Sequence, residues 1–463
     1  MCDNNSLKSR KNSSCFLRAI TAFLMLAVFF PLMPAQEKPI MRFSLSEARE
    51  YAVRHSFETA KSQIDLDAAG QKLKETLAIG LPQVSSTLSY NNNLKLATSL
   101  IPNIFEGKFD ELIPVQFGTQ HTANWGVTVQ QLIFQGSYIV GLQTSGIYKK
   151  LAEQGLERSE MDIRETVTST CHGILVLEEN ERILQKNMEN IEKIRHEIEE
   201  RFKEGFLAET DVDLIQISAT RIANGLQAVR RQKKIAYKLL KFQMGIDLEE
   251  KIVLEENLEN LLKPSLAFDA SRIAIDLDHS VDFNLALTQE KLAGLALKNE
   301  KVKYLPTVSA FFTYEQSAYR NKFNFFNSDK QWFTHEILGV TISMPIFQSG
   351  GQKARVKQAA LALDKARRSR EQAAEALQME TDQVKSRLLT AQETLINMTA
   401  NMKLASKVYL VTQEKFREGV SSSMELTQAH DQYLAAQSEY IKAVSELLSA
   451  RNRLNRISNQ YSH

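Results

Sequence analysis

The chain has 463 residues, 24% charged and 43% apolar, with 57 Lys+Arg against 55 Asp+Glu. That balance excludes a disordered chain, and a net charge of +2 gives no electrostatic footprint for nucleic acid. With only 9 prolines, long stretches contain no helix breaker.

Residues 1–35 read as an export signal. Lys8, Arg10, Lys11 and Arg18 form a basic start, an apolar run covers 19–30, and Pro31 and Ala35 follow. The other reading is an N-terminal anchor, but the run is shorter than the roughly 20 residues of a membrane-spanning helix. Cleavage takes away four basic residues and one acidic residue, leaving 53 Lys+Arg against 54 Asp+Glu. It also takes Cys2 and Cys15, so Cys171 is left without an internal disulfide partner. No second run of 18 apolar residues follows, so a membrane could be crossed only by strands.

The mature chain reads as a duplication. The first repeat spans 36–245. A helix over 58–79 ends before Leu81-Pro82. Strands at 81–94 and 123–134 flank a long loop, a long helix covers 137–203, and a return helix covers 210–244. Residues 246–282, with Pro264, form a less regular equatorial bridge. The second repeat, 283–463, restates the plan: a helix over 284–303, strands 305–314 and 336–347, a long helix 351–417 and a return helix 424–457. "LPQVSSTLSY" (81–90) returns as "LPTVSAFFTY" (305–314), "GVTVQQLIFQ" (126–135) as "GVTISMPIFQ" (339–348), and "RFKEGF" (201–206) as "KFREGV" (415–420). His55-Ser56 returns as His279-Ser280.

The strands alternate. Val84, Ser86, Leu88 and Tyr90 oppose Gln83, Ser85, Thr87 and Ser89; Trp125, Val127 and Val129 oppose Thr128 and Gln130. Val308, Ala310, Phe312 and Tyr314 oppose Thr307, Ser309 and Thr313, although Phe311 interrupts the polar side; Leu338, Val340 and Ile342 oppose Gly339, Thr341 and Ser343. Period two gives one wet and one apolar face. A small soluble sheet and a membrane strand set both fit this pattern. Trp125, Trp332, Tyr319, Phe323, Phe325, Phe326 and Phe333 crowd the loop ends, as an aromatic girdle would. Four strands cannot close a barrel alone, so a membrane sheet would need several copies.

Gly136 to Gly205 and Gly350 to Gly419 each enclose a span of 69 residues, about 100 Å as helix at ~1.5 Å per residue. Apolar steps of three and four run through Ile163, Val167, Cys171, Ile174, Leu184, Met188, Ile191, Ile194, Ile198 and Phe202. In the second copy they run through Ala359, Leu363, Ala366, Ala373, Leu377, Leu388, Leu395, Met398, Met402, Ala405, Val408 and Tyr409. This is coiled-coil spacing, and Cys171 reads as a buried apolar position within it. The return helices are half as long, so each pairs end to end with a short helix leading to a strand.

These features together resemble the TolC family of outer-membrane efflux proteins across nearly the whole mature region. The resemblance is carried by "FSLSEAREYAVRHS" (43–56), the two Leu-Pro steps, the twin "IFQ" plus glycine turns, and the "FKEG" and "FREG" turns; "PIFQSGG" (345–351) is the most specific. It implies a mainly α fold with membrane β: long helical hairpins forming a periplasmic α-barrel, and four strands per chain entering a 12-stranded barrel shared by a homotrimer. It also implies a cell outer membrane location, outer-membrane lipid around the barrel, and partnership with a periplasmic adaptor (membrane-fusion) protein and an inner-membrane pump. The joints between strand and helix would be Pro82, Gly136, Pro306, Pro345, Gly350 and Gly351, the glycines letting the backbone turn sharply. Family members narrow their periplasmic tip with acidic residues, and the matching positions are Asp211 and Glu425, with Asp213 beside the first. Asp211 and Asp213 also read as ordinary complements of a helix N-terminus, and Glu425 fits either role. Two family features are missing: a second acidic residue is Gln428 here, and a tip arginine is Ser421. The tip turns Lys203, Glu204, Gly205, Arg417, Glu418 and Gly419 are candidates for adaptor contact.

No phosphate loop or dinucleotide glycine pattern occurs, "HEIEE" (196–200) lacks a second metal-binding histidine, and no catalytic set stands out. The expected function is a trimeric exit duct for small molecules or proteins, neither an enzyme nor a cofactor or metal binder. The alternative is a structural periplasmic coiled-coil protein without a pore.

Overall fold

The computed structural model describes residues 40–269 and 276–458. The export signal lies outside these residues, as does part of the bridge. Strand β1 (Met41–Phe43) precedes α1 (Leu45–His55) and α2 (Phe57–Ala78). Strands β2 (Gln83–Asn92), β3 (Thr98–Asn103), β4 (Lys108–Gln116) and β5 (His121–Phe134) follow. Then come α3 (Gly136–Lys203), α4 (Glu209–Met244), β6 (Ile252–Leu254) and α5 (Leu258–Leu266). The second half holds α6 (Val281–Val302), β7 (Thr307–Arg320), β8 (Phe333–Ser343), α7 (Gly351–Arg417) and α8 (Ser423–Ile457).

The helix starts are written locally. The Ser56 hydroxyl accepts from the Thr59 N–H to cap α2, and the matching Ser280 accepts from Phe283 to cap α6. At α1, Ser44 and Glu47 exchange hydrogen bonds in a capping box, and the Ser44 N–H and hydroxyl hold the Glu47 carboxyl below its usual range. Pro82 and Pro306 then stop α2 and α6, because the residue before a proline is forced out of helical geometry.

α3 runs through the middle of a helical layer. It packs on α2 and α6 in its first half and on α4 and α8 in its second, while α7 flanks α6 and α8. The short helices do stack: α2 begins where α4 ends, and α6 begins where α8 ends. Val167, Cys171 and Ile174 of α3 are buried against α1, β1, β6 and α4. Leu388 and Leu395 of α7 join Leu447 and Leu448 of α8 beneath α5. Ile191, Ile194 and Ile198 form a third core with α4, α7 and α8 near the hairpin tips. Phe202 and Val408 leave the expected stripe and are exposed, with Tyr409 buried in place of Val408.

Four elements differ from the sequence reading; one is β7, which runs past the expected end at 314 to Arg320, because β5 pairs with it as far as His121. The long loop after β2 contains the β3–β4 hairpin, hidden by Pro102 and Pro114. Both prolines are tolerated because each strand pairs only with the other, so the missing N–H can face outward. The bridge is also more regular than expected. β6 pairs in parallel with β1, and Pro264 lies inside α5. Finally, β8 spans Phe333–Ser343 rather than 336–347, since Pro345 has no N–H to extend the ladder.

Candidate functional site

Strands β2, β5, β7 and β8 form one antiparallel sheet in the order β2-β5-β7-β8. Its registers put Val84, Val129, Phe312 and Leu338 on one rung, and Leu88, Trp125, Gln316 and Thr334 on another. The four alternations read in the sequence therefore fall on a common face. That face is uncovered: Leu88 is 76% exposed and Leu338 81%. The opposite face is mostly Ser, Thr, Gln and Asn. Phe311, which interrupted it, lies with its ring over Gly339, the residue directly across the strand pair. At the loop end, Phe325 and Trp332 fold onto Ala123 and Ala318 of the apolar face, with Tyr90 and Phe323 edge-on to Phe325. Among the described residues, β2 and β8 each have one edge unpaired.

The two joints solve the passage into helix differently. In the first, β5 continues through an irregularity between Leu132 and Phe134 straight into α3. Gly136 does not turn the chain; a Cβ there would come within 2.8 Å of the Val302 Cβ, so it permits close packing of α3 on α6. In the second, Pro345 ends the ladder and Gly350 turns at a φ of 81°, the left-handed region that glycine adopts without strain. Gly351 opens α7.

Farther down, α3, α4, α7 and α8 line a groove of about 990 Å³. Its walls carry hydroxyls from Thr166, Thr170, Ser386, Thr390, Ser445 and Ser449. This is a different face of α3 from the one buried under α1, β1 and β6. The helical layer thus has a covered apolar side and an open, hydroxyl-rich side.

At the tips, Gly205 (φ 82°) and Gly419 (φ 75°) end the long helices. The Phe206 N–H donates to the Arg201 carbonyl, and the Val420 N–H to that of Lys415. Glu425 accepts from the Ser421 hydroxyl at 2.6 Å and from the Ser422 N–H at 3.1 Å, and these two bonds lower its pKa. Asp211 accepts from the Ala208 N–H at 2.9 Å and from the Ser423 hydroxyl of the other hairpin. Asp213 is exposed. Of the three gate candidates, Asp211 and Glu425 therefore hold helix starts in a single chain.

The sequence reading missed what joins the hairpins. Arg201 donates to the carbonyls of Phe416 at 3.0 Å and Arg417 at 2.7 Å, with its guanidinium 5.1 Å from the Phe416 ring centre. Arg417 pairs with Glu197 at 3.3 Å, so it is engaged within the chain. Arg221 and Asp431 bridge α4 and α8 at 2.9 Å. Nothing in the spacing marks Arg201, because its acceptors are main-chain atoms about 215 positions away. Lys203 pairs with Glu200 at 2.7 Å, whereas Glu204 and Glu418 cap the C-termini of α3 and α7 and are exposed.

Cys171, His172 and His430 are buried titratable groups outside these contacts. Burial pushes the Cys171 thiol up to about 12 and the adjacent His172 imidazole down to about 4. His430, beside Tyr409 near the tip core, is likewise pushed down by burial to about 4.

Residues 282–460 match the family model described as outer membrane efflux protein. No curated protein matches the chain in sequence. Among solved structures it is similar to the outer membrane protein VceC of Vibrio cholerae, with a TM-score of 0.69 at 14% identity over 89% of this chain and 96% of that one. The CmeC outer membrane channel of Campylobacter jejuni gives 0.69 at 16% identity, over 89% and 85%. The open state of the Neisseria gonorrhoeae MtrE outer membrane channel gives 0.64 at 12%, over 89% and 88%. Residues 282–460 thus match an outer membrane efflux protein domain, and 89% of the chain shares the fold of these outer membrane proteins. The solved structures whose fold it shares include outer membrane channels.

Proposed function

We propose that three copies of this chain form an outer-membrane exit duct. Each would contribute four strands to a 12-stranded barrel, and the helices would close into a periplasmic tube. The carrying observation is the sheet: one common apolar face left bare, and two unpaired edges. A membrane tolerates no open edge, because each unpaired N–H and C=O in hydrocarbon costs several kcal/mol. Pairing β8 of one copy with β2 of the next removes every edge. The hydroxyl-rich groove would then face the water-filled lumen.

The tips support docking of a periplasmic adaptor, and through it an inner-membrane pump. Glu204 and Glu418 occupy helix C-termini, where the backbone dipole disfavours an anion. Beside them Phe206 and Val420 are 76% and 73% exposed. Both copies keep this locally unfavourable pair, which an adaptor with basic and apolar groups would cover. Glu425, Asp211 and Asp213 are the gate candidates, and three copies of each around one axis would attract cations. Small molecules and proteins both suit such a duct.

The test is the mass of the mature protein extracted from outer membranes in mild detergent. A trimer is expected. A soluble monomer or dimer released without detergent would contradict the duct.

A further inference from the structure

The four sheet strands contain only Glu315, Arg320 and Glu336 as charged residues. Immediately below the joints the balance changes. The segments 71–80, 136–145, 293–304 and 351–360 together hold eight basic residues against two acidic ones. They cover about 15 Å of helix, at ~1.5 Å per residue. At the opposite end the sign reverses, with seven acidic residues against two basic over 197–213. Positive charge thus gathers at the level where helices meet the apolar sheet, as it also does farther down over 230–241, which holds six basic residues and no acidic one.

Part of this charge is internally compensated. Lys72 pairs with Glu75 at 2.8 Å and Lys303 with Glu300 at 2.5 Å. Lys74 of α2, Lys301 of α6, and Lys353 and Lys357 of α7 are exposed and have no ion-pair partner among the described residues. They come from both halves of the duplication, so three copies would repeat them around the circumference as a collar. An uncompensated cluster of like charge is destabilising unless something anionic lies against it.

We propose that this collar binds the anionic phospholipid headgroups of the membrane leaflet facing the helices. The inference rests on the duct reading, which puts the sheet in the membrane and the collar at its surface. Ammonium groups one or two helical turns beneath an apolar sheet lie at headgroup depth, and their long stems reach phosphate without moving the helices. The attraction fixes the depth of the barrel and is screened by salt.

The test uses the full-length protein in mild detergent, equilibrated with equal amounts of phosphatidylglycerol and phosphatidylcholine, then repurified and its bound lipid measured. Phosphatidylglycerol is expected to be enriched at least about fivefold, the effect of a single well-placed lysine. The enrichment should vanish at about 0.5 M NaCl and in the K74Q/K301Q/K353Q/K357Q variant. A control, K234Q/K238Q/K403Q/K407Q, changes charge equally at exposed lysines far from the collar and should keep it. Equal retention of both lipids, an unchanged quadruple variant, or equal loss in the control would each overturn the proposal. So would a collar variant that alters ion selectivity while keeping its lipid preference, since its lysines would then line the lumen. Failure of the duct reading looks different: the protein would leave the membrane without detergent, whereas failure of the collar alone leaves a detergent-requiring trimer that retains both lipids alike.

Discussion

The two halves share the order of short helix, two sheet strands, long helix and return helix but are held together by different forces. In the first, α2 sits on the end of α4 through backbone contact. Gly245 adopts a φ of 69°, and a Cβ there would run into the His55 carbonyl oxygen. In the second, α6 sits on the end of α8 through charge. Arg456, buried, reaches Asp162 at 2.8 Å, Asp282 at 3.3 Å and Glu165 at 3.4 Å. The tips differ in the same spirit: Asp211 reaches across to Ser423 of the other hairpin, while Glu425 stays within its own turn. The two halves thus agree in where their helices end and differ in what holds the ends together.

The largest effect is expected at the backbone stack. Gly245→Val must lose the left-handed turn and collide with His55, costing about 3 kcal/mol or more. Denaturant unfolding should show the loss, largely independent of salt. The charged stack should respond to salt instead. Arg456→Met leaves Asp162 and Asp282 to Arg158 and Glu165 to Arg453, and since two of the three carboxylates are half exposed the cost is about 2 kcal/mol. Adding Asp282→Asn should restore part of it; a strictly additive double variant would show that the pair does not interact.

His430 gives the second half an acid sensitivity. Its folded pKa, about 4, lies below the ordinary 6.5, so its contribution is complete above pH 6.5 and falls as pH drops from 6.5 toward 4. The span is worth at most about 3 kcal/mol. His430→Phe should make that part of the stability–pH curve shallower, the remaining slope coming from His172 of the first half, which burial also pushes down to about 4. Arg201→Ala removes two hydrogen bonds between the hairpins, about 1–2 kcal/mol. Spin labels on the two tips should then move apart, while Lys203→Ala, which touches only its own helix, should leave them in place. The smallest effect is local: Ser422→Ala removes the α8 cap, about 1 kcal/mol. Below pH 4.5, as Glu425 protonates through its lowered pKa, the remaining half of that capping box is lost as well.

Much of the fold is legible in the sequence because it is specified within a few residues. The alternation of Val84, Leu88, Trp125 and Leu338, the three-four steps of Ile191, Ile194 and Ile198, and the tip glycines each act locally. What was not legible depends on contact. Phe311 reads as an error in a polar face until Gly339 is seen across from it. Gly136 reads as a turn but permits packing, because Val302 arrives from the other half. At the tip, Asp211 and Glu425 were found from the resemblance, whereas Arg201 was not, since a side chain bound to distant carbonyls leaves no spacing to read.

The account stands on closure of the sheet between copies. In a Cys171→Ala background, a cysteine at Thr87 in β2 is combined in turn with one at Ile337 or Thr341 in β8, all on the polar face, and the membranes are oxidised. Covalent dimers and trimers in at least one register are the expected result, because β8 of one copy lies beside β2 of the next. Monomers alone in every register, from protein still in the membrane, would contradict the shared barrel.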